Sequence, residues 1–180
     1  MRTIFFLLAA VIWSVAATAQ PKASPRGPRA LNFERLEPGQ VPDGVKATFG
    51  TAFPQARGTR WEKHEARGKR TYVKFVAAFF LDGGRMRARY REDGGFLSSS
   101  RYLNPAQMPE DIRGKAQAKS PGFAVVRGEE ITTKSGKKYY RVRLRQGASR
   151  QVQYFDENGA EVPLANVPPE VNEGEEESEN

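Results

Sequence analysis

The chain of 180 residues contains no cysteine and a single histidine, His64. The first absence removes disulfides, a thiolate nucleophile and the lipid-bearing cysteine of a lipoprotein; the two together remove a zinc site built from His and Cys. Long apolar runs are equally scarce. The only one, Ile4 to Val15, is interrupted by Ser14 alone and is too short for the ~20 residues a membrane helix needs. It follows the positive start Met1-Arg2-Thr3 and precedes the small residues Ala17-Thr18-Ala19. That pattern predicts a signal peptide over 1–19, cut before Gln20. The alternative, an uncleaved anchor, fits the small-residue site less well. The mature chain is then expected to have no membrane span and to be exported, periplasmic or secreted.

Charge is uneven along the chain. Of 29 Lys and Arg, 28 lie between Lys22 and Arg150, against 15 of the 21 acidic residues in the body, a net +13. The other six acids, Glu170, Glu173, Glu175, Glu176, Glu177 and Glu179, follow as a −6 tail. A basic body with an acidic tail points to anionic partners or to self-screening. Pro21, Pro25, Gly27 and Pro28 make residues 20–40 a flexible leader. Pro168 to Asn180, almost without apolar residues, is expected to be disordered.

Between leader and tail the chain says one thing twice. Val41-Pro42, Val45, Phe49 and Pro54 recur as Met108-Pro109, Ile112, Ala116 and Pro121, each offset by 67 residues. The hairpin at Tyr90 to Gly94 recurs at Phe155 to Gly159, offset by 65. A fixed period means one supersecondary unit built twice. In each unit a proline opens a short helix and another stops it, at Pro42 to Phe53 and from Pro109 to Pro121. Strand patterns follow, separated by short glycine turns: Gly58 to Ala66, Thr71 to Leu81, Arg85 to Arg91 and Phe96 to Tyr102, then Phe123 to Thr133, Tyr139 to Arg145, Gln151 to Phe155 and Ala160 to Leu164. The fold class expected is α+β: two tandem repeats, each a helix packed on a four-stranded antiparallel meander sheet, over 41–104 and 105–167, with the acidic tail at 168–180. Each sheet should bury one face under its helix and leave the other wet.

The residues Val41-Pro42, Phe53-Pro54, Trp61, Tyr72, Tyr90 with Asp93-Gly94, then Met108-Pro109, Pro121, Tyr140 and Asn158-Gly159 resemble the PepSY-like family of exported bacterial proteins. Its units are related to the beta-lactamase-inhibitor-protein fold. In the second unit Ser120 replaces the apolar residue before Pro121, and Gly128 or a neighbour stands where a tryptophan would. The resemblance implies a non-catalytic binding module, an inhibitor or modulator of an envelope or secreted protein, with no cofactor and no catalytic residues to carry over. Fold analogy alone names no target.

The residues themselves offer little catalysis. Ser98-Ser99-Ser100 with His64 as base has no spacing in its favour, and His64, in Glu62-Lys63-His64-Glu65, reads as an exposed polar residue. Asp156-Glu157-Asn158-Gly159 lacks the longer ligand series of a calcium loop and reads as a hairpin turn. The arginine alternation carries more. Arg85, Arg87, Arg89 and Arg91 face away from Met86, Ala88 and Tyr90, and Arg141, Arg143 and Arg145 away from Tyr140, Val142 and Leu144. Like charges in a row repel unless an anion lies across them, and arginine suits bidentate contacts to carboxylate or phosphate. The simpler reading is a solvated sheet face partly paired with Glu62 and Glu65. Trp61 is either core under the first helix or an exposed anchor of a binding face. A protein partner in the envelope or outside the cell is expected, docked on the arginine faces. The alternative is an anionic polymer such as lipopolysaccharide phosphate or acidic glycan; nucleic acid is disfavoured by export. The acidic tail is expected to fold back over the arginines and compete with the partner, so that deleting it strengthens binding at low salt.

Overall fold

The computed structural model describes residues 31–66 and 72–172. The expected signal peptide, the leader up to residue 30, the turn at Arg67-Gly68-Lys69 and the tail from residue 173 lie outside the described residues.

Eight strands form a single antiparallel sheet in chain order. They are β1 (Leu31–Leu36), β2 (Arg57–Ala66), β3 (Tyr72–Leu81), β4 (Gly84–Tyr90), β5 (Phe96–Leu103), β6 (Ala124–Thr133), β7 (Lys138–Gln146) and β8 (Ser149–Asp156). Helix α1 (Asp43–Ala52) joins β1 to β2, α2 (Glu110–Lys119) joins β5 to β6, and a four-residue α3 (Pro169–Asn172) ends the described chain. β5 pairs with β6 from Ser98↔Thr133 to Leu103↔Gly128, so the two expected sheets are one continuous surface.

Three expectations are corrected. The leader does not run to residue 40: Leu31–Leu36 pairs with β2 as an edge strand, Leu36 opposite Trp61. The segment 160–164 is not a fourth strand of the second unit. It makes one bridge, Phe155↔Glu161, and the donor-less Pro163 then turns it into a single 3-10 turn at Leu164–Asn166. Residues 168–172, read as disordered, form α3 with Val171 fully buried.

Alternation sorts the side chains onto two faces. On the helix face, α1 inserts Val45 and Phe49 against Trp61, Phe75, Ala77, Phe79, Ala88 and Tyr90. Phe49 is the hub: its ring meets Trp61 and Phe79 edge-on, both at 5.1 Å. Trp61, 7% exposed, is therefore core, which removes it as a binding anchor. On the same face α2 inserts Ile112 and Ala116 against Leu103, Val125, Val142, Leu144 and Phe155. Gly128, in register with Val142, stands 67 residues after Trp61. A Cβ there would lie 2.6 Å from the Met108 sulfur, so methionine fills the space a tryptophan holds in the first half.

Each helix start is seated on a hairpin tip. Gly94, at φ +84°, touches Gly44 of α1 backbone to backbone; a Cβ at Gly94 would lie 2.6 Å from the Gly44 carbonyl. In the second half Lys115 of α2 donates to the Gly159 carbonyl at 2.7 Å. A Cβ at Gly159, φ +71°, would meet the Asp111 carboxylate and Lys115 ammonium instead of backbone. Both glycines need the left-handed conformation, but only the second neighbour can move aside. We therefore expect Gly94→Ala to lower the unfolding free energy by more than ~1 kcal/mol and by more than Gly159→Ala, measured by urea titration of both variants.

Candidate partner-docking face

The opposite, back face carries the arginine ladders, but the structure divides them. Arg85 is exposed, Arg87 half-buried and Arg89 2% exposed, a gradient of burial running along β4. Arg91 lies beyond the strand, in the hairpin, where its Nε reaches Asp93 Oδ1 at 3.3 Å. The Gly95 backbone N–H and Arg91 together hold the Asp93 carboxyl below its usual range. On β7, Arg141 is 1% exposed, Arg143 half-buried and Arg145 exposed, the last donating to the Gly147 carbonyl at 2.7 Å. The expectation that all seven arginines form one exposed docking surface is thus corrected for Arg89 and Arg141, which are buried; Arg91 is exposed but lies in the hairpin beyond β4.

What draws Arg89 and Arg141 inward is Glu129. It sits on β6, 2% exposed, in register with Arg141. Its Oε2 accepts from Arg141 Nη2, and its Oε1 lies 3.8 Å from Arg89 Nη2. Arg89 Nη1 also donates to Ser100 Oγ at 3.2 Å. Two guanidinium groups share one carboxylate in the middle of the sheet. Burying such a triad is costly, and it holds only because every charge has an opposite neighbour. The sequence analysis missed Glu129. Its one signal was position: in Glu129-Glu130, strand parity puts one carboxylate on the arginine side.

The exposed end of this face lies over β2 to β6. There the Tyr102 ring is sandwiched between two cations, Arg85 at 5.5 Å and Arg127 at 5.3 Å. Arg60 and Phe80, the latter 47% exposed, flank them on the neighbouring strands. Arg87 lies 3.9 Å from Glu62 Oε2. The result is a cationic patch with two aromatic rings in it, the mixture enriched at protein interfaces.

His64 is not exposed. It is 3% exposed on the back face, with Nε2 and Glu62 Oε2 2.9 Å apart and the Phe33 ring 6.2 Å away. Ser98 and Ser100 are buried on the back face while Ser99 points to the helix face. His64 on β2 is three strand spacings from the serines on β5, roughly 14 Å, too far for a base to reach a nucleophile. Among the described residues no group of three or more acidic or histidine side chains could hold a metal ion. Asp156 caps its own turn, accepting from the Asn158 and Ala160 N–H groups at 2.9 Å. On the helix face a cleft of about 170 Å³ opens between the two helix-covered halves, lined by Met86, Ser99, Arg101, Glu130 and Thr132. No helix among the described residues is long and apolar enough to cross a membrane.

This arrangement, a meander sheet with its helices on one face, has counterparts among solved structures. The chain is similar to a BLIP-like protein from Bacteroides fragilis, at TM-score 0.54 and 19% identity over 71% of this chain and 90% of that one. It is similar to a DUF2874 family protein from Bacteroides ovatus, at TM-score 0.55 and 14% identity over 68% and 84%. A protein from Bacteroides eggerthii described as periplasmic matches at TM-score 0.56 and 16% identity over 68% and 86%. The fold is therefore BLIP-like. No family model and no curated protein matches the chain.

Glu129→Gln leaves Arg89 and Arg141 buried without their anion. We expect a loss of about 3–5 kcal/mol in unfolding free energy, read by urea denaturation of the purified protein.

Proposed function

We propose that this protein is an exported, non-catalytic binding module of the PepSY-like type, with a two-unit architecture, that docks a protein partner through the cationic end of its back face. The observation that carries this reading is the Arg85–Tyr102–Arg127 sandwich beside exposed Phe80 and Arg60. An arginine stacked on tyrosine keeps its donors outward in a preorganised fork, and aromatic and arginine anchors dominate interface energetics. The paired contacts of α1 with its hairpin and α2 with its own support the two-unit reading. Export is supported by the apolar N-terminus with its small-residue site and by the description of the Bacteroides eggerthii neighbour as periplasmic. Inhibition or modulation of the partner is the mode that the BLIP-like fold suggests.

The body charge of +13 favours a second reading, an anionic polymer bound by electrostatics alone. The two readings part on salt and on shape. The full chain is immobilised and exposed to envelope extract, alongside Arg85→Glu/Arg127→Glu and Tyr102→Ala variants. We expect a discrete protein retained at moderate salt and weakened about 30-fold by Tyr102→Ala, the loss a hot-spot residue carries. Retention of phosphate-rich material instead, lost early in a salt gradient and indifferent to Tyr102→Ala, would establish the polyanion reading.

A further inference from the structure

The back face is exposed at its Arg60–Phe80–Arg85 end and buried across its middle, at His64, Val76 and Arg89. Over Ile131 and Tyr154 the cover is the chain's own last described segment. After the Phe155↔Glu161 bridge, the chain crosses the sheet and lays Val167 and Val171 against Ile131 and Tyr154, with Tyr139, Val152 and Val162 at the margin. Val171 is fully buried. Two side-chain hydrogen bonds fix the segment to the sheet: Ser98 Oγ donates to the Glu170 carbonyl at 3.4 Å, and Tyr154 Oη to Asn172 Oδ1 at 3.2 Å. The regular structure in this strap is one 3-10 turn and the four residues of α3. Its hold on the sheet is two buried valines with two polar side-chain tethers, the grammar of a bound peptide.

The floor under it is electrostatically unfinished. Tyr154 is in register with Arg141. Arg141, with its side chain completely buried, has Nε and Nη1 without a hydrogen-bond partner among the described residues. A buried donor left unmade is expensive, and a carboxylate-bearing ligand is the chemistry that would complete it.

We propose that the Ser98–Ile131–Tyr154 socket is a peptide-binding site for a short acidic segment with an aliphatic anchor, and that the strap Pro163–Asn172 is its resident internal ligand. The partner's segment enters by displacing the strap, placing a branched aliphatic side chain where Val171 sits and a carboxylate towards Arg141. The biological use of the site rests on the proposed reading of this face as partner-docking; the peptide binding itself does not. Binding in trans is then limited by the strap, because only molecules with the strap lifted are competent.

The test uses the full chain and a fluorescein-labelled peptide with the sequence of residues 163–172. Val171→Asp places a charge in the apolar socket and ejects the strap, which faster amide exchange in β5 and β6 would register. We expect this variant to bind the peptide at least tenfold more tightly than the wild-type chain, and not to bind the same peptide carrying Val171→Asp. The peptide with Asn172→Asp, which brings a carboxylate beside Tyr154 in register with Arg141, should bind more tightly still, and Arg141→Gln should remove that advantage. Val171→Ala, a gentler change, should give the same order at about threefold, and decides the matter if Val171→Asp unfolds the protein. Equal binding to released and wild-type chains, or none to a variant whose exchange shows the strap released, overturns the proposal. The Arg85→Glu/Arg127→Glu chain should bind the peptide as the parent does, so that loss of the envelope partner and loss of the socket are read separately.

Discussion

The central constraint on this molecule is a single carboxylate. Glu129 lies on β6, and two guanidinium groups converge on it, Arg141 from neighbouring β7 and Arg89 from β4 across β5. Without that anion a continuous sheet carrying Arg89 and Arg141 on one face would repel itself at its middle and draw in water. With it, the middle of the back face becomes dry. Ser98 and Ser100 fit this need: they are small enough to leave room on β5, and Ser100 gives Arg89 an oxygen to bond. The surface available to a partner is then what the triad leaves over. Arg85, Arg60 and Arg127 stay outside while Arg89 and Arg141 are spent on the interior.

The two helices, most strands and both hairpins were legible because each rests on local chemistry. A proline opens α1 and α2, a φ > 0 glycine turns each hairpin, and period-2 alternation separates Met86 and Ala88 from the arginines. Side is therefore readable from parity. Depth is not, because depth depends on what else in the chain covers that side. The same alternation that put Arg85 and Arg89 on one face could not tell that one is exposed and the other 2% exposed. His64 failed for the same reason: its charged neighbours suggested solvent, while Phe33 from an unrecognised β1 comes to lie beside it. β1 was hidden by the basic, proline-rich stretch before it, although Leu31, Phe33 and Arg35 alternate with Asn32, Glu34 and Leu36. The strap was hidden by composition, since Pro-Pro-Glu followed by glutamates reads as a solvated tail unless the one buried valine is known.

The unequal halves explain why the strap is where it is. The first helix brings Phe49 and Phe53 onto Trp61 and Phe79, an aromatic core dense enough to hold its part of the sheet from one side. The second helix brings Ile112 and Ala116, and glycine faces Met108 where the tryptophan would be. Less apolar surface is buried on the helix side of β6 to β8, and hydrophobic stabilisation follows that area. The missing burial is made up on the back face, where Val167 and Val171 cover Ile131 and Tyr154. The consequence is a division of labour along one sheet. The half with the strong helix-side core can leave the Arg60–Phe80–Arg85 end of its back face open and cationic. The half with the weaker one needs a cover, and a cover held by two valines and two side-chain hydrogen bonds is one that another chain of the same chemistry can replace.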